Sequence, residues 1–398
     1  MGVMSDSEGK KRRVVVTGVG VIAATGIGAE SFWKGLLSEP GVGPHEVRGW
    51  DPEPLIPRKE SRRLDRFSQF ALGAAAEALD QAGHLTADPD RVAVSIATGI
   101  GGLASLEELI QGSYEEGTRV SPLLIPMMMC NAAAAAISIK YGFGGPATTQ
   151  VVACAAGAQA ISDALRAIQW GYADAAVAGG AEGAVRRPTE AGFAAAKALS
   201  PSGIARPFSV DRDGFVLGEG AALLVLEELG QARARGARIL AEIGGAASTA
   251  DAHHITAPHP MGNGAERAIH LALKDAGLRP SDVAYINAHG TGTGLNDLTE
   301  GMVIARVFGE DQPPVSSIKG TTGHALGASG AIEAATAVLA IERHQLPPNI
   351  GLTEQDPEIP LTGIIREPLD WIPGPVVSNS FGFGGHNAVL VITPYVEG

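Results

Sequence analysis

Short runs rich in valine, isoleucine and alanine alternate with helix-periodic segments along the whole chain, and that alternation leaves few folds open. "RRVVVTGVG" near the start, "RVAVSIATG" (91–99), "TTQVVAC" and "ADAAVAGGAEG" read as buried strands. Residues 68–83 read as a helix, with Phe70, Leu72, Ala76 and Leu79 toward one side and Gly83 as its stop. "GAALLVLEELGQARARGARILAEIGGAAST" reads as strand, exposed helix, strand. A second series follows, "DVAYINAHG", "PPVSSIKG", "GPVVSNSFG" and "NAVLVITP", separated by helical patterns such as 262–277 and 328–343. Strands alternating with helices imply an α/β protein whose mostly parallel sheet is covered on both faces. With 398 residues, 45% of them apolar, the chain can build about two or three domains or one large α/β body.

The two series share a pattern. A strand ending at "VVACAAGAQAI" runs into a small-residue helix, and so does one ending at "SSIKGTTGHALGASGAIEAATAVLAI". An internal duplication is therefore expected, with its boundary near 235–240. Two cysteines make no disulfide framework and no Cys-rich metal site. A net charge of −13 speaks against nucleic acid as a partner. No segment has the apolar length of a membrane span, and "MGVMSDSEGKKRR" lacks the apolar core of a signal peptide, so a cytoplasmic protein is expected.

Gly18, Gly20 and Ala23 follow the first strand in a fair match to a dinucleotide fingerprint. The acidic residue due about 20 positions later is missing, and a glycine-rich turn out of the strand is the better reading.

Cys154 lies where a strand meets a helix whose Ile161, Leu165 and Ile168 share one face. A thiol in a first helical turn faces the positive end of the macrodipole, which favours thiolate. His289 opens a glycine- and threonine-rich loop just past a strand. Lys319 and His324 follow another strand, with Glu333 on the next helix, and Phe381 and Phe383 sit among glycines past a fourth. Strand C-terminal ends converge on one crevice in open α/β folds, so these four loops are expected to form one site.

Together "GGPATTQVVACAAGAQAI", "RPFSVDRDGFVLGEGAALLVLE", "NAHGTGT", "KGTTGH" and "NSFGFGG" resemble the elongating β-ketoacyl-acyl carrier protein synthases, including the ketosynthase subunits of type II polyketide systems. The resemblance implies a thiolase fold, five layers α-β-α-β-α in two duplicated halves, taken here as 12–238 and 239–398. It implies a decarboxylating Claisen condensation. Cys154 would hold an acyl group, with the backbone N–H groups of Cys154 and Phe383 as oxyanion hole. His289 and His324 would bind the thioester carbonyl of malonyl-carrier protein. Lys319 would tune the field there, supported by Glu333. Thr291 and Thr293 would meet the phosphopantetheine arm, Phe383 would gate the pocket, and Phe381 would line it. Met127 and Met128, on a helix read through "SPLLIPMMMCNAAAAAISIKYG", would shape the acyl tunnel. No metal or other cofactor is implied.

The implied partners are an acyl carrier protein and a second copy or a related chain-length subunit. Carrier proteins are acidic, so an acidic synthase needs a local basic landing site. Arg58, Lys59, Arg62, Arg63 and Arg66 supply one, with Arg206 as a further candidate. The chain departs from the family pattern at Val152, Gly292 and Gly294, and the two glycines are expected to loosen the loop beside His289. A noncatalytic chain-length-type subunit, which lacks the cysteine, and a thiolase-like coenzyme A acyltransferase stand as alternatives.

Overall fold

The computed structural model describes residues 11–397 apart from positions 40, 116 and 118. The "MGVMSDSEGK" part of the N-terminal reading lies outside the described residues.

Five strands of the first half form one run of sheet. β1 (Val14–Ala23), β2 (Val92–Ala97), β3 (Ala147–Thr148), β4 (Ala175–Glu182) and β5 (Gly220–Glu228) lie in the order β3-β2-β4-β5-β1. β6 (Ala241–Ala250), β7 (Tyr285–Asn287), β8 (Val315–Ser316), β9 (Val376–Gly382) and β10 (His386–Thr393) repeat it as β8-β7-β9-β10-β6. The third, second and fourth strands of each half run parallel, and the fifth and first antiparallel. The halves join where β1 meets β6 at Val15–Glu242 and Val16–Ala241.

Helices separate the halves into layers. α1 (Arg66–Ala82) packs outside β1, and α3 (Asn263–Ala276) outside β6 and β10, alongside α4 (Gly294–Phe308). Between the halves lie α2 (Ala156–Gln169) and α5 (Ser329–Arg343), and both touch strands from each half. Burial explains the sequence of α5, where every residue from Ser329 to Ile341 is buried and six are Gly or Ala. Contact between α2 and α5 is backbone on backbone. A Cβ on Gly157 would stand 2.6 Å from the Ala331 nitrogen, and one on Gly330 2.7 Å from the Ala158 nitrogen.

Helix ends follow local chemistry. The Asp65 carboxylate caps α1 by accepting from the Phe67 N–H, and Gly83 ends it at φ +73°. Gly277 closes α3 in the left-handed region. Among the described residues no helix is long and apolar enough to cross a membrane.

Four readings need correction. β1 does not turn after Gly18; it continues to Ala23, and Cβ atoms on Gly18 and Gly20 would collide with the Ala78 and Ala74 carbonyls of α1. Those glycines serve helix–strand packing and no dinucleotide cradle. "TTQVVAC" pairs only at Thr148, the last residue of β3, and "PPVSSIKG" only over Val315–Ser316. The methionine segment is two helices, Leu124–Met128 and Ala132–Tyr141, with Met129 extended between them. It breaks because the Met128 carbonyl accepts from Gly102 instead of continuing the helix.

Gly157→Ala gains up to about 1 kcal/mol of helix propensity but forces a methyl against the α5 backbone, an overpacking cost of about 1–3 kcal/mol. We expect net destabilisation, read as a lowered urea midpoint.

Candidate active site

Four loops from strand C-terminal ends meet over a cavity of about 500 Å³. Cys154, His289, His324, Thr291, Thr293, Phe381 and Phe383 line it. The chain enters α2 through a 3₁₀ turn, Ala153–Ala155, in which Ala153 takes φ +50°. Small neighbours are needed here, since a Cβ on Gly382 would stand 3.0 Å from the Cys154 nitrogen. The "FGFGG" segment thus lies directly over the cysteine, and the Phe383 backbone favours the charged form of its sulfur.

Burial decides the state of the thiol. It pushes Cys154 up to about 12, against the opposing pull of Lys319 and the Phe383 N–H. The expected thiolate at a helix start is therefore not the resting form; the cost of a buried anion exceeds the helix-terminus effect.

The histidines are held neutral. Burial takes both well below the ordinary imidazole value, and the Lys319 charge adds to it. Their rings lie 5.4 Å apart at 82°. Lys319 Nζ ion-pairs with Glu333, donates to the His289 carbonyl (2.5 Å) and lies 3.3 Å from His289 Nδ1. An ammonium can only donate, so His289 Nδ1 is the acceptor and its proton sits on Nε2. His324 Nδ1 lies 2.9 Å from Ser329 Oγ. Burial raises Glu333 to about 7 even beside Lys319.

Two carboxylates escaped the sequence reading. Glu300 accepts from the His289 and Gly290 N–H groups, both at 2.8 Å, and from the Asn379 amide. Asp297 accepts from the Thr291, Gly292 and Phe208 N–H groups. The signal was present: Asp297 and Glu300 are three apart, on one face of α4, beside a glycine-rich loop. That loop is not loose. Gly292 sits at φ +78° with Gly214 and Arg206 backbone closing on it, and Gly294 is the first residue of α4.

Other assignments divide. Thr291 and Thr293 hydroxyls bond each other at 2.9 Å within the cavity. Phe381 stands edge-on to His289 at 5.8 Å. Met127 and Met128 are not part of this lining; their backbone presses on Gly102. Of the basic cluster, Arg58, Lys59, Arg62 and Arg63 are exposed, Arg58 near Glu53. Arg66 instead turns inward to Glu219 (2.6 Å) and the Val47 carbonyl, and Arg206 is spent on Asp211 and Ser202. Lys197, exposed at the cavity rim, was missed because "AAAKALS" carries no motif signal.

Alkylation of Cys154 by iodoacetamide should rise about tenfold per pH unit from pH 7 to 9 without levelling, because only thiolate reacts; a plateau near pH 7 would contradict the buried thiol. Gly294→Pro should be tolerated, since the first helical position suits proline and Thr293 before it is already extended. A gain of about 0.4–1 kcal/mol in urea unfolding is expected.

Comparison with known proteins agrees with this geometry. Residues 48–232 match the Beta-ketoacyl synthase, N-terminal domain, and residues 240–353 its C-terminal domain. The chain is 45% identical to the 3-oxoacyl-[acyl-carrier-protein] synthase 2 of Synechocystis sp., over 97% of this chain and 99% of that one. Among solved structures it is similar to the ishigamide ketosynthase/chain length factor (TM-score 0.92, 35% identity, 97% of this chain, 100% of that one). It is also similar to a type II polyketide ketosynthase in complex with its acyl-carrier protein (TM-score 0.88, 34% identity, 97% and 100%). The chain belongs to the beta-ketoacyl synthase family.

Proposed function

We propose that this enzyme extends an acyl chain by two carbons on Cys154, with the roles of its site residues set as follows. The observation that carries the reading is one cavity holding a cysteine, two neutral histidines and the Gly382–Phe383 backbone packed over the cysteine.

Cys154 gives up its proton as its sulfur attacks an acyl-carrier thioester, and one proton ends on the departing carrier thiol, so the exchange starts from a resting thiol with no net change in protons. The N–H groups of Cys154 and Phe383 stabilise the tetrahedral oxyanion. Malonyl-carrier protein then enters, and His289 Nε2–H, with His324 beside it, donates to its thioester carbonyl. Loss of carbon dioxide leaves an enolate held by these donors. Its carbon attacks the Cys154 acyl carbonyl, the β-ketoacyl product departs on the carrier, and the sulfur takes up one proton. Neutral imidazoles suit this role because they donate without delivering a full positive charge. Lys319, fixed by Glu333, locks the His289 tautomer. Thr291 and Thr293 meet the pantetheine arm.

Lys59, Arg62, Arg63 and Lys197 form the landing site for an acidic carrier protein. The exposed apolar side chains of Ile125, Met129, Ile139 and Val151, on the segments either side of the edge strand β3, are read as the face covered by a second copy or a related subunit. The halves 12–238 and 239–398 supply the nucleophile and the histidines respectively. Cys154 argues against the chain-length-type reading.

Cys154→Ala should abolish condensation and retain malonyl-carrier decarboxylation. His289→Ala and His324→Ala should load acyl groups on Cys154 yet lose decarboxylation by about 100-fold or more. Intact-protein mass spectrometry and carbon dioxide release check both, and acylation that survives without Cys154 would falsify the assignment.

A further inference from the structure

Glu182, the last residue of β4, has no exposed surface, and no step above uses it. Its Oε2 accepts from the Gly99 N–H (2.7 Å) and the Gly327 N–H (3.0 Å), and its Oε1 from the Thr98 hydroxyl (3.2 Å). All three partners donate, and the two backbone N–H groups can do nothing else, so the pocket suits a carboxylate; a protonated oxygen or an amide nitrogen facing Gly99 and Gly327 would set donor against donor. Burial pushes the group up to about 7, and those bonds oppose the rise.

The bond to Gly327 crosses between the halves. Gly327 belongs to the turn Leu326–Ala328, which lies between His324 and the Ser329 hydroxyl that bonds it. Leu326 in that turn lines the cavity and holds φ +43°, a conformation that must be imposed by its surroundings. Glycine is obligatory at 327, because a Cβ would stand 2.0 Å from the Gly99 nitrogen. Its carbonyl lies where Cβ atoms on Gly157 and Gly180 would fall, at 3.0 and 2.7 Å. His324 itself is tied to the first half by its backbone, its N–H donating to the Val216 carbonyl (2.7 Å) and its carbonyl accepting from the Gly218 N–H (3.0 Å); the turn that follows has contact on every side and one side-chain hold from the first half, the Glu182 carboxylate.

We propose that Glu182 is a positioning residue: its carboxylate clamps the turn Leu326–Ala328 onto the first-half loop at Thr98 and Gly99, fixing the Ser329 hydroxyl that bonds the His324 ring and so setting that ring relative to Cys154. This rests on the assignment of His324 to malonyl decarboxylation. A histidine displaced by about 1 Å loses on the order of 100-fold in rate, whereas thioester exchange at Cys154 does not use that ring.

The test uses the full chain and two variants. Glu182→Gln keeps the volume and removes the carboxylate; Thr98→Val removes one donor and keeps the shape. Acyl loading of Cys154 is read by intact mass, and malonyl-carrier decarboxylation as separate kcat and KM. Glu182→Gln should lower the decarboxylation kcat by about tenfold or more, leaving KM within about twofold and loading within about threefold. Thr98→Val should shift kcat alone in the same direction, and it decides the matter if Glu182→Gln does not fold. Wild-type kcat in both variants, or loading and decarboxylation falling together, overturns the proposal. A wild-type chain that loads no acyl group on Cys154 instead removes the functional reading, and this inference with it.

Discussion

Everything at the site depends on two helices that touch through their backbones. α2 and α5 lie between the halves of the sheet, with Gly157 against Ala331 and Gly330 against Ala158. Larger side chains would part the helices by several ångströms. Because α2 starts two residues after Cys154 and α5 follows the turn after His324, the same separation would part Cys154 from His324. Close-packed interiors do not deform by half measures, so the small-residue composition of these helices is a geometric requirement of the chemistry.

The second dependence is electrostatic. Lys319 and Glu333 form an ion pair almost fully out of water. Such pairs give little net stability, since desolvation offsets most of their attraction, but removing one partner costs about 3–5 kcal/mol. What this pair contributes is direction. The ammonium spends its protons on Glu333, the His289 carbonyl and His289 Nδ1, which leaves the far nitrogen of His289 as the donor. Burial does the complementary work by keeping both imidazoles uncharged.

Much of this was legible in the chain. The placement of Cys154, His289 and His324 in segments that follow strands is read from apolar runs breaking into glycine-rich loops, and the helix limits near Gly83 and Gly277 from glycine's access to positive φ. What failed shares a cause. The thiolate expectation considered the helix start alone and not the burial that outweighs it. The one-helix reading of the methionine segment had no view of Gly102, whose N–H takes the Met128 carbonyl. Arg66 and Arg206 looked like surface cations because Glu219 and the carbonyl of Val47, or Asp211 and Ser202, are invisible as partners until the chain folds.

The sequence by itself determined the alternation of strands and helices, the duplication, and which residue types reach the strand ends, because periodicity and backbone freedom are local properties. Tertiary structure alone decided the protonation of Cys154 and the histidines, the tautomer of His289, and the convergence of Gly99, Gly157, Gly180 and Gly327 on one point. Those depend on burial and on distances between residues far apart in the chain, and neither exists before the two halves close on α2 and α5.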